Sequence, residues 1–244
     1  MDAYGQYARS RVTRRFGYKN RRLAAMVGDF VYETSSAEDE SRWLLKSLYE
    51  RGKSALSEKS DQKDLERFAK DKYVSWSRMD ELSQNIVHAL ASKIARNDSV
   101  FDANLEALDR MFDTTKALRK MRNEVDHRAP SDNGGRLQFY QNDETPVTAR
   151  SIWGWTEVAA SYWTHLTYIH AAISMATGIE SPSSEDTFQP RPLQWPPLGV
   201  SIHGLRVLEE SGIQISSQQM QDARREWAGL TRRWNKKKPG LAGR

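Results

Sequence analysis

The chain contains no cysteine. Disulfides, thiolate metal sites and thiol nucleophiles are therefore excluded, and nothing calls for an oxidising compartment, so a cytoplasmic protein is expected. Proline is scarce at eight residues and falls mainly at breaks and in one stretch, 182–197. No glycine-rich loop followed by Lys-Ser/Thr is present, and no carboxylate cluster has metal-binding spacing, so neither a metal nor a cofactor is expected. Long apolar runs are also missing. The most apolar segment, 152–176, carries Glu157, His165 and His170, which suits a buried helix and not a membrane span. The basic start lacks the apolar stretch of a signal peptide, and no internal repeat is seen.

What is present is helix-forming and basic. Eight tryptophans, nine tyrosines and seven phenylalanines can fill a core, while the 28% charged fraction implies a well-solvated surface. The net charge is +5, and the excess is uneven. Arg9, Arg11, Arg14, Arg15, Lys19, Arg21 and Arg22 crowd the start; Arg224, Arg225, Arg232, Arg233, Lys236, Lys237 and Lys238 crowd the end. Such clusters suit phosphate contacts, and equally a solvated face.

Apolar spacing predicts an all-α protein: an up-and-down bundle of four to five helices with a basic C-terminal helical extension. The expected organisation is a basic arm over 1–19, a bundle over 20–178, a proline-rich linker over 179–198 and a basic helical element over 199–244. A first helix spans 20–31. Ser35 or Ser36 caps a second, with Glu38, Asp39 and Glu40 in its first turn and Trp43, Leu44, Leu48 and Leu56 facing inward. A third spans 60–94 with a break near 75–77, and a fourth spans 99–128. A long loop over 129–148 precedes a fifth helix over 148–177. The linker reads as a strap over the bundle or as a recognition peptide. After it come a short mixed element over 199–215 and a last helix, capped at Ser216 or Ser217, carrying Met220, Ala223, Trp227, Leu230 and Trp234 as its apolar stripe. His165 and His170, five apart, are read as core or interface residues because metal pairs on helices stand four apart.

The stretch that draws most attention is Arg122-Asn123-Glu124-Val125-Asp126-His127, followed by Arg128-Ala129-Pro130. Proline disfavours helical geometry at the residue before it, so the fourth helix should end within a residue or two of His127. At about 100° per residue, Asn123 and His127 share a face while Arg122 lies roughly 140° from His127. They can flank one phosphate if the last turn loosens or a second chain completes the site. Histidine suits general acid–base work near neutral pH, and arginine offers a permanent, bidentate grip on phosphate oxygens. The bland alternative is equally physical: Arg122 with Asp126, and Glu124 with Arg128, are opposite-charge pairs four apart, and a histidine near a helix C-terminus is favoured by the dipole.

An arginine, a polar residue and a histidine after four intervening residues, late in a helix of an all-α chain, resembles the HEPN ribonucleases. Here the motif reads RNEVDH. The resemblance implies a helical bundle that dimerises with two motifs across a cleft, RNA cleavage without metal, and a toxin or antiphage role with an antitoxin or regulatory partner. It also implies that Arg122, Asn123 and His127 form the catalytic set. HEPN toxins paired with nucleotidyltransferase antitoxins carry a tyrosine two residues after the histidine; Ala129 stands there, which argues against that subgroup. Arg119, Lys120, Arg128, Arg136, Arg224, Arg225, Arg232 and Arg233 are the expected RNA contacts, with Phe139 and Tyr140 as stacking surfaces in the loop. The alternatives are a non-catalytic helical adaptor that binds nucleic acid or protein, and a structural assembly protein with the fifth helix as its contact surface.

Overall fold

The spacing of apolar residues produces helices almost throughout the described residues. The computed structural model describes residues 21–70, 72–92, 99–127, 131–133, 136–138, 148–176, 191–197 and 200–236. Among them are helices α1 (Arg21–Ala55), α2 (Lys59–Ala69), α3 (Trp76–Ala91), α4 (Ser99–His127), α5 (Ala149–Ala176), α6 (Ile202–Glu210) and α7 (Ser217–Lys236). A two-stranded antiparallel hairpin, β1 (Ser131–Asn133) with β2 (Arg136–Gln138), lies between α4 and α5. The fold is all-α apart from that hairpin, which occupies part of the expected long loop. Among the described residues no helix is long and apolar enough to cross a membrane.

The first two expected helices are one. Thr34 Oγ1 donates to Phe30 O at 2.9 Å, Ser35 Oγ to Val31 O at 2.8 Å and Ser36 Oγ to Tyr32 O at 3.1 Å. These hydroxyls are satisfied one turn back inside the helix, so they do not cap a new one. Elsewhere hydroxyls do cap. Ser75 accepts from Arg78 N, Thr148 from Ser151 N and Ser201 from His203 N. Ser216 and Gln219 form a reciprocal box: Gln219 N donates to Ser216 Oγ, and Ser216 N donates to Gln219 Oε1. The expected third helix is broken just before Ser75, as α2 and α3. The expected mixed element over 199–215 contains α6, which stops at Gly212, where φ is +85°.

Direction alternates from α1 to α4. Gln62 of α2 reaches back to Leu56 O, and Leu65 meets Gly52, so α2 reverses on α1. Trp76 meets Ser41 and Ile86 meets Gly52, so α3 runs with α1. On α3, Asp80 meets Arg119 and Gln84 meets Asp109, so α4 reverses again. Phe30, Leu44, Leu45, Leu48, Met79, Leu82, Ile86, Leu108, Leu118, Tyr162, Leu166 and Ile169 build one core between these helices and α5. Trp43, expected inside, is 56% exposed, with Lys46 Nζ 4.8 Å from its ring centroid.

The chain after α5 is tied to this core. Trp195 is buried, its indole N–H donating to Thr114 Oγ1 at 2.8 Å and its ring edge-on to Tyr162. Leu193 N donates to Asn104 Oδ1, and Asn104 Nδ2 to Arg191 O. The described part of the proline-rich stretch therefore lies as a strap across α4 and α5. Beyond it α6 crosses α5 at two glycines: a Cβ on Gly154 would stand 2.5 Å from His203 O, and one on Gly204 would stand 3.5 Å from Gly154 O.

Candidate functional site

Leu118, Met121 and Val125, spaced three and four apart, are buried and anchor the last turns of α4 in the core. That packing fixes where the neighbouring positions face. Asn123 is exposed, and Arg122 is partly buried beside α1. The backbone stays α-helical to His127. The last turn therefore does not loosen, and positions 122 and 127 take different faces of one helix, roughly 140° apart, while 123 and 127 share a face. The side chain of His127 lies outside the described residues, as do those of Arg136, Arg232 and Arg233. Arg128, Phe139 and Tyr140 lie wholly outside them.

Arg122 meets a partner that the sequence does not announce. Its Nη1 donates to Glu38 Oε2 at 2.5 Å, with the two side chains 25% and 24% exposed. Reading 35–36 as a helix start assigns Glu38, Asp39 and Glu40 to a first turn. Because α1 runs through, they sit in mid-helix, and the cation facing Glu38 comes from α4. Burial raises the Asp39 carboxyl above its ordinary range; Arg42 opposes this, Glu38 adds to it and Arg122 opposes it.

Arg119, three residues before Arg122 and assigned above to RNA, turns inward. Its Nη1 donates to Asp80 Oδ2 at 2.9 Å and to Thr115 Oγ1 at 3.0 Å, and its guanidinium carbon is 5.8 Å from the Trp76 ring centroid. Its side chain is 19% exposed and that of Asp80 5%. This commitment to a buried carboxylate is a structural role, leaving Lys120 as the exposed cation of the pair. Thr115 also donates to Asp80 Oδ2, at 2.7 Å. Nearby, Trp76 Nε1 donates to Ser41 Oγ at 3.0 Å, and Ser41 Oγ stands 3.2 Å from the Tyr162 hydroxyl. Helices α1, α3, α4 and α5 thus meet around polar groups. Burial pushes Asp80 up to about 6, against the pull of the Thr115 and Ser41 hydroxyls and of Arg119. Burial, with Asp80 adding to it, holds the Tyr162 phenol well above its usual range.

The other histidines have local roles. His88 Nε2 is 2.9 Å from Asp109 Oδ1, and His165 Nδ1 is 2.7 Å from Ser161 O with its ring against Trp195. His170 Nδ1 is 3.8 Å from Glu40 Oε1, and His203 packs on Trp153 at 5.3 Å between centroids. On α7, Arg224 and Arg225 are exposed, and Arg225 is 3.5 Å from Asp222. Among the described residues no group of three or more His, Asp and Glu is placed to hold a metal ion.

The described part of the RNEVDH stretch thus presents an exposed amide and a cation held by an acid on α1, at the end of a firmly packed helix. The chain matches no protein-family model, no curated protein and no solved structure.

Proposed function

We propose that the protein is a HEPN-like endoribonuclease that works as a homodimer. The observation that carries this reading is the placement of Asn123 at the solvent side of α4, one residue from Arg122 and four before His127, over the buried Leu118, Met121 and Val125. A site of this kind is precise because packing below holds the groups above.

In the reaction, a base removes the 2′-hydroxyl proton as the 2′-oxygen attacks phosphorus. The bond from phosphorus to the 5′-oxygen breaks, and an acid delivers a proton to that oxygen. The products are a 2′,3′-cyclic phosphate and a 5′-hydroxyl, with protons and charge in balance. His127 serves as base or acid. Arg122 holds the scissile phosphate and stabilises the charge that builds on it, which supplies the positive charge without calling on a metal. Asn123 orients His127 or the phosphate. Because positions 122 and 127 take different faces of one α4, a second chain brings the complementary half of each site. Lys120, Arg224 and Arg225 are exposed and suited to holding the RNA backbone. A toxin or antiphage effector held in check by an antitoxin or other partner, acting in the cytoplasm, is the biological setting this reading favours.

A second reading rests on the Arg122–Glu38 pair, which ties α4 to α1 and suits a non-catalytic helical adaptor. The two separate in one assay: purified protein with total RNA in excess chelator, wild type against His127→Ala, with the cut ends mapped. The nuclease reading expects 2′,3′-cyclic phosphate ends from the wild type and loss of cleavage in the variant. Cleavage that needs added metal or persists in the variant overturns it, and intact RNA with the wild type favours the adaptor.

A further inference from the structure

We propose that Glu38 is a built-in anionic competitor at Arg122: it holds the guanidinium on α1 until an RNA phosphate takes its place. This rests on the reading of Arg122 as a phosphate-holding group and adds a restraint to it.

Three observations support the assignment. The first is the contact itself, Arg122 Nη1 to Glu38 Oε2 at 2.5 Å, a charge-assisted bond. Carboxylate and phosphodiester each present charged oxygens to a guanidinium, so Glu38 occupies the kind of place a substrate phosphate needs. The second is location. The Arg122–Glu38 side chains are 25% and 24% exposed, whereas in Asp80–Arg119, the internal tie of the same two-turn stretch, the carboxylate is 5% exposed. A pair at the rim is open to exchange with an incoming anion; a pair whose carboxylate is enclosed is not. The third is sequence context. Glu38, Asp39 and Glu40 stand consecutively in the middle of α1, where no helix N-terminus favours negative charge. Of these, Asp39 is near enough to interact with both Glu38 and Arg122, with Arg42 beside it, while Glu40 turns to His170 on α5; Glu38 and Asp39 together oppose an approaching polyanion while Glu38 stays in place.

The alternative role for Glu38 is to orient Arg122 for catalysis, and the two roles move different quantities. A competitor weakens substrate binding and leaves turnover alone once substrate is bound. A positioning residue supports turnover, so its loss lowers kcat.

The test uses Glu38→Gln, which keeps shape and a hydrogen-bond acceptor while removing the charge, and Glu38→Asp, which keeps the charge on a shorter stem. Thermal melts check that both remain folded. Binding is measured with a single-stranded 2′-O-methyl RNA oligonucleotide, which lacks the attacking hydroxyl, and cleavage with the matching RNA. Glu38→Gln is expected to bind roughly two- to five-fold more tightly, the scale of releasing an ion pair at a protein surface. KM should fall in the same proportion with kcat unchanged, Glu38→Asp should stay near wild type, and the gain should vanish when Arg122→Ala is added. Unchanged affinity, no binding by either protein, a fall in kcat, or a gain that survives Arg122→Ala each overturns the proposal. Tighter binding that depends on Arg122, without any His127-dependent cleavage, leaves the competitor standing and removes the nuclease reading.

Discussion

Arg119 and Arg122 lie one helical turn apart on α4, look equivalent in the sequence and are similarly part-buried, yet the carboxylate that holds the first is enclosed and the one that holds the second is at the rim. The difference comes from acids on other helices, Asp80 on α3 and Glu38 on α1, which local spacing does not reveal. Asp80 also gives the fold a pH-dependent element. Its folded value of about 6 lies above the ordinary 3.8, so the protonated form is favoured in the fold. Its contribution to stability is complete below the unfolded value and is lost as pH rises through about 6. On that sign, Asp80→Asn should match wild type in denaturant melts near pH 4 and be the more stable of the two at pH 7, by on the order of 2 kcal/mol. Should the Asn variant be the less stable at pH 7, the Arg119 pair outweighs the cost of burying the charge.

At the scale of elements, the sequence discloses helices better than their joints. Helices α4 and α5 lie close to where apolar spacing and the stop before Pro130 put them, over 99–128 and 148–177. Joints depend on what each polar side chain finds to bond. Ser35 and Ser36 look like Ser75, but the first two donate back along α1 while Ser75 caps α3. Trp43 is misplaced for another reason: Leu44, Leu45 and Leu48 set the inner face of α1, and position 43 lies about 100° from 44 and about 140° from 48. The Gly154–Gly204 crossing of α5 on α6 was equally hidden, since a glycine inside a helix does not say which backbone approaches it. There the obstacle to a Cβ is backbone, His203 O, so the helices must part to admit one. Gly154→Ala should therefore destabilise the protein by about 2 kcal/mol in denaturant melts; a neutral result would mean that α6 moves freely on α5. Thr114→Val is expected to cost about 1–3 kcal/mol by leaving the buried Trp195 indole N–H without its acceptor. A melt unchanged from wild type would show that the strap contributes little.

For the molecule as a whole, the all-α class was legible because apolar spacing at three and four residues recurs along the chain. The candidate site was legible only as a motif. RNEVDH marks where to look, but neither Glu38 nor the separation of positions 122 and 127 onto different faces of a regular helix can be settled without the neighbouring helix and the helix end. That separation carries the central proposal, in which each active centre takes Arg122 from one chain and His127 from its partner. The direct measurement is RNA cleavage by a mixture of Arg122→Ala and His127→Ala chains, unfolded together and refolded so that they exchange. Each variant alone should be inactive. The mixture should recover about a quarter of wild-type activity, because half of the dimers pair unlike chains and each of those carries one intact centre of two. A mixture that stays inactive beside an active wild type, or either variant cleaving alone at the wild-type rate, would contradict the account.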